Sequence, residues 1–272
     1  MAASDQFVRL VPVFLSLLLG LGCAFLLNAS SFGPVQVTPF SESSLGVLGS
    51  LANAVYFAVL AGVGATVIYF LLKRRRQRLI TIVTGFAVTV AAFMLSLVYL
   101  SAGLSALLIP YVELVVVVVS MLVTIGVDYA IFGASRFSAV AVLGIGAGLG
   151  TFLGFSLPTT STVLILSALA LYDIYAVFRG SVGKIARDGI DELRGLSFSF
   201  RDVQMGLGDL TFYCMLSGRM FFIGFLPCLA SIIGILIGCL VSFFMLERRD
   251  MFPGLPFPIF LGLAAGFMAV LL

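Results

Sequence analysis

Two aspartates stand inside long apolar stretches of the sequence, where ionisable side chains are rare. Asp173 lies near the end of the sixth apolar stretch and Asp209 near the start of the seventh. An ionisable group inside a bilayer is costly and usually faces water, a partner or a substrate path. Two carboxylates that lie close together cannot both ionise easily, so they share one proton and titrate as a unit. The ionised member can then take a proton from a bound water while the protonated member hydrogen-bonds a carbonyl.

A short glycine motif precedes the second aspartate. Asp209 follows Gly206, Leu207 and Gly208. The two glycines remove side chains beside Asp209, which would let another backbone approach and would weaken the helix there. A peptide segment has to be unwound before its bonds can be hydrolysed, so the motif favours a site that accepts an extended chain.

The elements that hold these carboxylates are predicted to be membrane helices. Of the 272 residues, 61% are hydrophobic and 10% are charged, and the mean hydropathy is +1.23. This composition excludes a water-soluble domain. The apolar runs are continuous rather than alternating as in a β-barrel, and at roughly 20 residues per span they supply about nine membrane helices. The predicted fold class is all-α, a polytopic membrane protein with a single transmembrane domain over residues 1–272.

The predicted spans are joined by short polar segments. They cover residues 7–27, 45–72, 79–100, 104–125, 139–157, 160–178, 205–225, 227–246 and 256–272. A cytoplasmic loop is predicted at 179–202, between the sixth and seventh spans. In the fifth span, the spacing of four glycines predicts close contact with a neighbouring helix, as in small-xxx-small packing. They are Gly144, Gly146, Gly148 and Gly150.

The positive charges predict the orientation of these helices. Of the fifteen Lys and Arg residues, all except Arg219 fall on one side of the predicted topology. By the positive-inside rule that side is cytoplasmic, which places the amino terminus in the cytoplasm and the carboxyl terminus outside. The net charge of +3 is then explained by topology and anionic lipid, and no nucleic-acid partner is predicted.

This topology brings the two aspartates to a similar depth below the same membrane face. With a rise of 1.5 Å per residue, each lies roughly 7–10 Å into its helix. Adjacent antiparallel helices would therefore place the carboxylate of Asp173 opposite that of Asp209.

The residue types present in the chain exclude several classes of hydrolase. The chain has no histidine, which excludes a zinc protease of the His-Glu-x-x-His kind and a serine protease with a histidine base. The four cysteines lie in apolar stretches without metal-ligand spacing and are interpreted as small buried hydrophobes. They are Cys23, Cys214, Cys228 and Cys239. No metal and no cofactor are predicted, so any hydrolysis depends on carboxylates.

A proline-rich segment precedes the last span. Pro253, Pro256 and Pro258 cannot continue a regular helix, because proline lacks an N–H and restricts the residue before it. One interpretation is a helix start with proline in its first turn. The other is an extended segment beside the active site, available to pair with an unwound substrate strand.

These motifs together resemble the presenilin-type GxGD intramembrane aspartyl proteases. The resemblance rests on Tyr172 with Asp173, on the Gly-Leu-Gly-Asp motif that ends at Asp209, and on a Pro-x-Leu segment before the last span. The family pattern in that third segment is Pro-Ala-Leu, and here Gly254 replaces the alanine. The resemblance covers essentially the whole chain, including the nine spans and the cytoplasmic amino terminus.

The resemblance implies proteolysis of substrate helices within the lipid bilayer, with Asp173 and Asp209 as the catalytic pair. Tyr172 belongs to the motif set without a separate role. The short loop between spans six and seven is typical of a compact microbial relative in the cell membrane. The substrate, the oligomeric state and any accessory subunits stay open. The resemblance also implies substrate-binding residues, namely Gly206, Leu207, Gly208, Pro253, Gly254 and Leu255.

Other protein classes share parts of this pattern. Signal peptide peptidases share these motifs but have an inverted orientation across the membrane, and the charge distribution argues against that orientation. Prepilin peptidases have a different domain layout. A transporter or leak channel could instead use Asp173 and Asp209 as a proton or cation site. Such a protein is expected to contain two related halves, and the sequence has no convincing internal repeat. Transport stays as the alternative hypothesis.

Overall fold

The structure, a computed structural model, describes residues 8–35, 37–40, 42, 46–74, 76–104, 111–133, 137–178, 197–200, 203–248 and 252–272. Within these ranges nine long helices and one β-hairpin form. The helices are α1 (Val11–Ala29), α2 (Val47–Lys73), α3 (Gln77–Leu104), α4 (Val112–Phe132), α5 (Ser138–Ser156), α6 (Thr159–Phe178), α7 (Leu207–Ile223), α8 (Phe225–Arg248) and α9 (Pro256–Leu271). The predicted helical membrane fold is confirmed.

Seven of these helices, α1 to α6 and α8, are long and apolar enough to cross a membrane. The protein is therefore an integral, multi-pass membrane protein. The other two helices are shorter, with 17 residues in α7 and 16 in α9. Backbone groups inside a bilayer must be paired within the protein, and a helix pairs them within its own segment.

The hairpin lies directly before α7. Strand β1 (Ser197–Phe200) pairs antiparallel with β2 (Val203–Gly206), with Ser197 opposite Gly206. The seventh span was predicted to begin at residue 205, whereas Met205 and Gly206 belong to β2. Apart from residues 197–200, the predicted loop at 179–202 lies outside the described residues.

The fourth helix differs most from its predicted bounds. It runs over Val112–Phe132 rather than 104–125, so it starts after Pro110 and includes Asp128. Leu104, where the span was predicted to begin, is the last residue of α3, and residues 105–110 lie outside the described residues. Within the helix, Asp128 Oδ2 accepts a hydrogen bond from the Thr89 hydroxyl of α3 at 2.8 Å, while its Oδ1 is buried without a partner among the described residues.

Glycine allows α5 and α7 to pack backbone against backbone. Gly150 lies against the carbonyl oxygen of Thr211. A Cβ atom on Gly154 would lie 2.5 Å from the carbonyl oxygen of Met215, closer than van der Waals contact allows. Larger residues at these two positions would push the helices apart, so glycine sets how close α7 comes to α5.

The other predicted glycines of α5 differ in their surroundings. Gly146 also faces α7, where an added Cβ would lie 3.2 Å from the Leu210 side chain, and Gly148 faces Tyr99 of α3. Gly144 has nothing within 4 Å. The predicted close helix contact is thus confirmed for Gly146 and Gly150.

Glycines also bring the backbones of a second pair of helices, α8 and α9, into close contact. Gly238 lies against the backbone of Pro258, and a Cβ on Gly234 would lie 2.5 Å from the Leu261 carbonyl oxygen. Helix α7 packs against α8 and α9 as well as α5. The helix that carries Asp209 is therefore held on several faces.

Candidate active site

Asp209 stands in the first turn of α7, where β2 ends. Gly206 is the N-cap residue, with φ −78° and ψ 143°, and no side chain caps the helix. The first N–H groups of a helix have no partner within it, and anionic side chains are favoured beside them. The glycine motif thus joins an extended strand to a helix start with a carboxylate in its first turn.

Asp173 stands in the second half of α6, and the fold brings it to Asp209. Helices α6 and α7, which carry the two carboxylates, contact each other. Both carboxylates lie against the short segment before α9. The Leu255 N–H donates to Asp173 Oδ2 at 3.1 Å, and a Cβ on Gly254 would lie 3.2 Å from Asp209 Oδ2. Residues 254 and 255 therefore lie against both carboxylates.

Gly254 explains how this segment fits so closely. A methyl group at residue 254 would be in tight contact with the Asp209 carboxylate, which would have to shift by a few tenths of an ångström. Pro256 begins α9 and Leu255 before it has helical dihedrals, so the interpretation as a helix start with proline in its first turn is confirmed. The extended interpretation therefore fails for Pro256 and Pro258, which lie within the helix.

Tyr213 fixes the same segment from α7. Its hydroxyl donates to the Gly254 carbonyl oxygen at 3.0 Å, and the side chain is 5% exposed. Tyr213 follows Asp209 by four positions, so both side chains project from the same helix face. Sequence reasoning missed this residue, although its spacing from Asp209 was a usable signal.

The remaining residues of the predicted site are distributed around this centre. Tyr172 packs against α2, where a Cβ on Gly62 would lie 3.7 Å from its ring. Leu207 faces Gly146 of α5, whereas Gly208 is exposed, with Phe212 as its nearest neighbour. Pro253 is buried. The fold thus gathers Asp173, Asp209 and residues 254 and 255 into one place, and Tyr172 turns toward α2.

The donor set suits acid–base chemistry. Among the described residues, no group of three or more His, Cys, Asp or Glu side chains is arranged to hold a metal ion. The site offers two adjacent carboxylates and backbone N–H groups beside them. Such a pair can share a proton, with one member acting as base and the other as acid.

The fold and site together define a polytopic helical membrane protein with a pair of carboxylates between two neighbouring helices. Two crystal forms of a presenilin family intramembrane aspartate protease have the same fold. Their TM-scores are 0.67 and 0.66 at 19% and 18% sequence identity. The match covers 98% and 96% of this chain and 98% and 95% of the other. No protein-family model and no curated protein sequence matches the chain.

Proposed function

We propose that this protein is an intramembrane aspartic endopeptidase that hydrolyses peptide bonds of transmembrane substrate helices. The observation that carries the proposal is that Gly254 and Leu255 lie against both Asp209 and Asp173, in a fold shared along almost the whole chain with a presenilin family intramembrane aspartate protease. Both aspartates stand in helices of a membrane protein, where an ionisable side chain is a functional candidate by default.

The proposed mechanism follows from one proton shared by two carboxylates. The ionised member takes a proton from water, and the water oxygen attacks the peptide carbonyl carbon. The protonated member hydrogen-bonds the carbonyl oxygen as negative charge develops there. The carbon–nitrogen bond then breaks and the leaving amine receives a proton. The roles of Asp173 and Asp209 as catalytic residues are part of this proposal.

The proposed substrate-binding residues surround the pair. Gly206, Leu207 and Gly208 connect an extended strand to α7 beside Asp209. We assign them, with Pro253, Gly254 and Leu255, to holding an unwound substrate segment next to the carboxylates. The exposed Gly208 leaves open space on one side of the motif, which supports this assignment. We further propose that residues 1–272 form a single transmembrane domain whose amino terminus lies in the cytoplasm.

The test is cleavage of a single-span substrate by the purified protein in liposomes. Asp173→Asn and Asp209→Asn are each expected to lower the cleavage rate by roughly 10²- to 10⁴-fold, because an amide of the same shape cannot exchange the catalytic proton. Asp128→Asn is the matched control. Asp128 is also a carboxylate within a membrane helix, but it accepts a hydrogen bond from Thr89 and is not part of the proposed pair. This variant is expected to cleave at the wild-type rate.

Thermal unfolding shows whether each variant is folded. Cleavage that survives in either asparagine variant of the pair would contradict the proposed mechanism. Intact substrate with the wild-type protein, combined with an aspartate-dependent ion flux in the same liposomes, would favour transport instead.

A further inference from the structure

A small cavity borders Asp209 and extends toward α8. It has a volume of about 130 Å³ and is lined by residues of α1, α7 and α8 and by the segment before α9. Its wall contains several polar groups among apolar ones. Those that matter here are Asp209, Tyr213, Cys239 and Ser242, with Phe243 and Phe252 beside them. Asp173 is not part of the lining, so the cavity approaches the pair through Asp209.

Ser242 supplies the observation that points to a ligand. Its side chain is 6% exposed, and its Oγ atom has no hydrogen-bond partner among the described residues. A buried hydroxyl without a partner is unfavourable, and ordered water is the usual solution when space allows. The cavity is large enough for several waters, and a buried water needs two to four polar partners.

The polar wall of the cavity meets that requirement. The Asp209 carboxylate accepts hydrogen bonds, and the Ser242 hydroxyl both donates and accepts. The Tyr213 hydroxyl donates to the Gly254 carbonyl and still has lone pairs that accept. A water that bonds both the Ser242 hydroxyl and the Asp209 carboxylate would give the unpartnered hydroxyl its partner.

We propose that this cavity is the water site that supplies Asp209 for hydrolysis, with Ser242 as the positioning residue that holds the water. The inference rests on the proposed function. Each peptide bond cleaved consumes one water, whose oxygen bonds to the carbonyl carbon and whose protons end on the new amine and the new carboxyl group. Asp209 is partly buried, and this cavity is a partly polar space that touches it.

Removal of the Ser242 hydroxyl tests this role. Ser242→Ala is expected to lower kcat about fivefold with KM unchanged, the effect of losing one hydrogen bond to the reacting water. Ser242→Thr keeps the hydroxyl and is expected to restore the rate. Ser231→Ala is the matched control, because Ser231 is also a buried, unpartnered serine of α8 but lies outside this cavity.

Equal kcat values for Ser242→Ala and wild type would overturn the proposal, as would a Ser242→Thr variant as slow as Ser242→Ala. Bound transition-state analogue in each variant shows that the carboxylate pair is intact.

Hydrogen exchange at the Cys239 thiol, which lines the same cavity, measures whether water enters the cavity in the absence of substrate. Infrared spectra recorded after transfer to D₂O follow the exchange of S–H for S–D, and a Cys239→Ala difference spectrum assigns the band. We expect the Cys239 thiol to exchange while the thiol of Cys214 stays protected. Cys214 is fully buried beside Ser16 and does not line this cavity.

The two experiments separate the two proposals. An active wild-type protein whose Cys239 thiol is as protected as that of Cys214 would overturn the water site alone. An inactive wild-type protein whose Cys239 thiol exchanges would overturn the proposed function and support a hydrated cavity.

Discussion

Seven of the nine helices that the structure describes fall into two groups that are held together differently. The inner group consists of α5, α7, α8 and α9, where glycines bring backbones into direct contact. The outer group consists of α2, α3 and α4, which meet their neighbours through side chains. In the apolar window of α5, 50% of the residues are buried, compared with 6% in that of α2.

This difference teaches how a carboxylate is positioned inside a membrane. Lipid tails are as apolar as leucine, so helices in a bilayer gain little from hiding apolar side chains and associate through close packing. Close packing is concentrated on α7, which carries Asp209. The outer helices instead present large apolar side chains away from the protein, including Val59, Leu122 and Ile125.

The largest expected effect comes from adding one methyl group to each group of helices. Gly150→Ala places a Cβ against the Thr211 carbonyl and is expected to destabilise the protein by about 1–3 kcal/mol through overpacking. Gly64→Ala in α2 has nothing within 4 Å and is expected to leave stability unchanged or slightly raised. Thermal unfolding in detergent measures both. Equal Tm values for the two variants would remove the distinction between the groups.

A smaller effect on stability is expected when a tyrosine hydroxyl that donates to a glycine carbonyl is removed. The described residues contain two such contacts, at Tyr213 and at Tyr99. Tyr213→Phe loses the hydrogen bond to the Gly254 carbonyl, at a cost of about 1 kcal/mol. It is also expected to lower kcat severalfold, because the segment beside both aspartates is no longer held.

Tyr99→Phe is the control for this prediction. The Tyr99 hydroxyl donates to the Gly148 carbonyl at 2.7 Å, so its loss is the same chemical change between α3 and α5. Its stability cost should be similar, and its kcat should equal that of wild type. A fall in kcat of the same size in both variants would show a general loss of packing rather than a role for Tyr213.

The smallest effect is expected on the outer helices. Ile125 of α4 is 65% exposed, and Ile125→Ala should change the free energy of unfolding by no more than about 0.5 kcal/mol. The measurement is the Tm of the protein in lipid nanodiscs. A much larger loss of stability would mean that another copy of the chain or another subunit covers this face of α4.

The sequence predicts the helices well because few structures satisfy backbone polar groups in a bilayer. The predicted bounds of α5 and α6 differ from the observed ones by a residue at most. The predicted start of α4 was wrong because residue 104 is the end of α3, and hydropathy alone does not mark where one apolar helix ends and the next begins. The hairpin before α7 was missed, since β1 lies in a stretch interpreted as a loop and the end of β2 was assigned to the seventh span.

Some residues of the candidate site could also be predicted from the sequence, whereas others could not. Asp173 and Asp209 stand out from sequence alone, because a carboxylate in an apolar stretch is rare. Tyr213 and Ser242 do not stand out, since tyrosine and serine are ordinary in membrane helices. Their importance depends on how α7 and α8 are rotated and on where residues 252–255 lie, and both are decided by packing between distant parts of the chain.

The proline-rich segment also determines how well the site tolerates mutation. Pro253 and Pro256 carry no N–H, so Gly254 and Leu255 supply the backbone donors between them, and Leu255 gives its own to Asp173. A main-chain donor is the same whatever side chain it carries, and proline alone abolishes it. A substitution of the buried Leu255 therefore alters packing in the site but leaves Asp173 its main-chain partner.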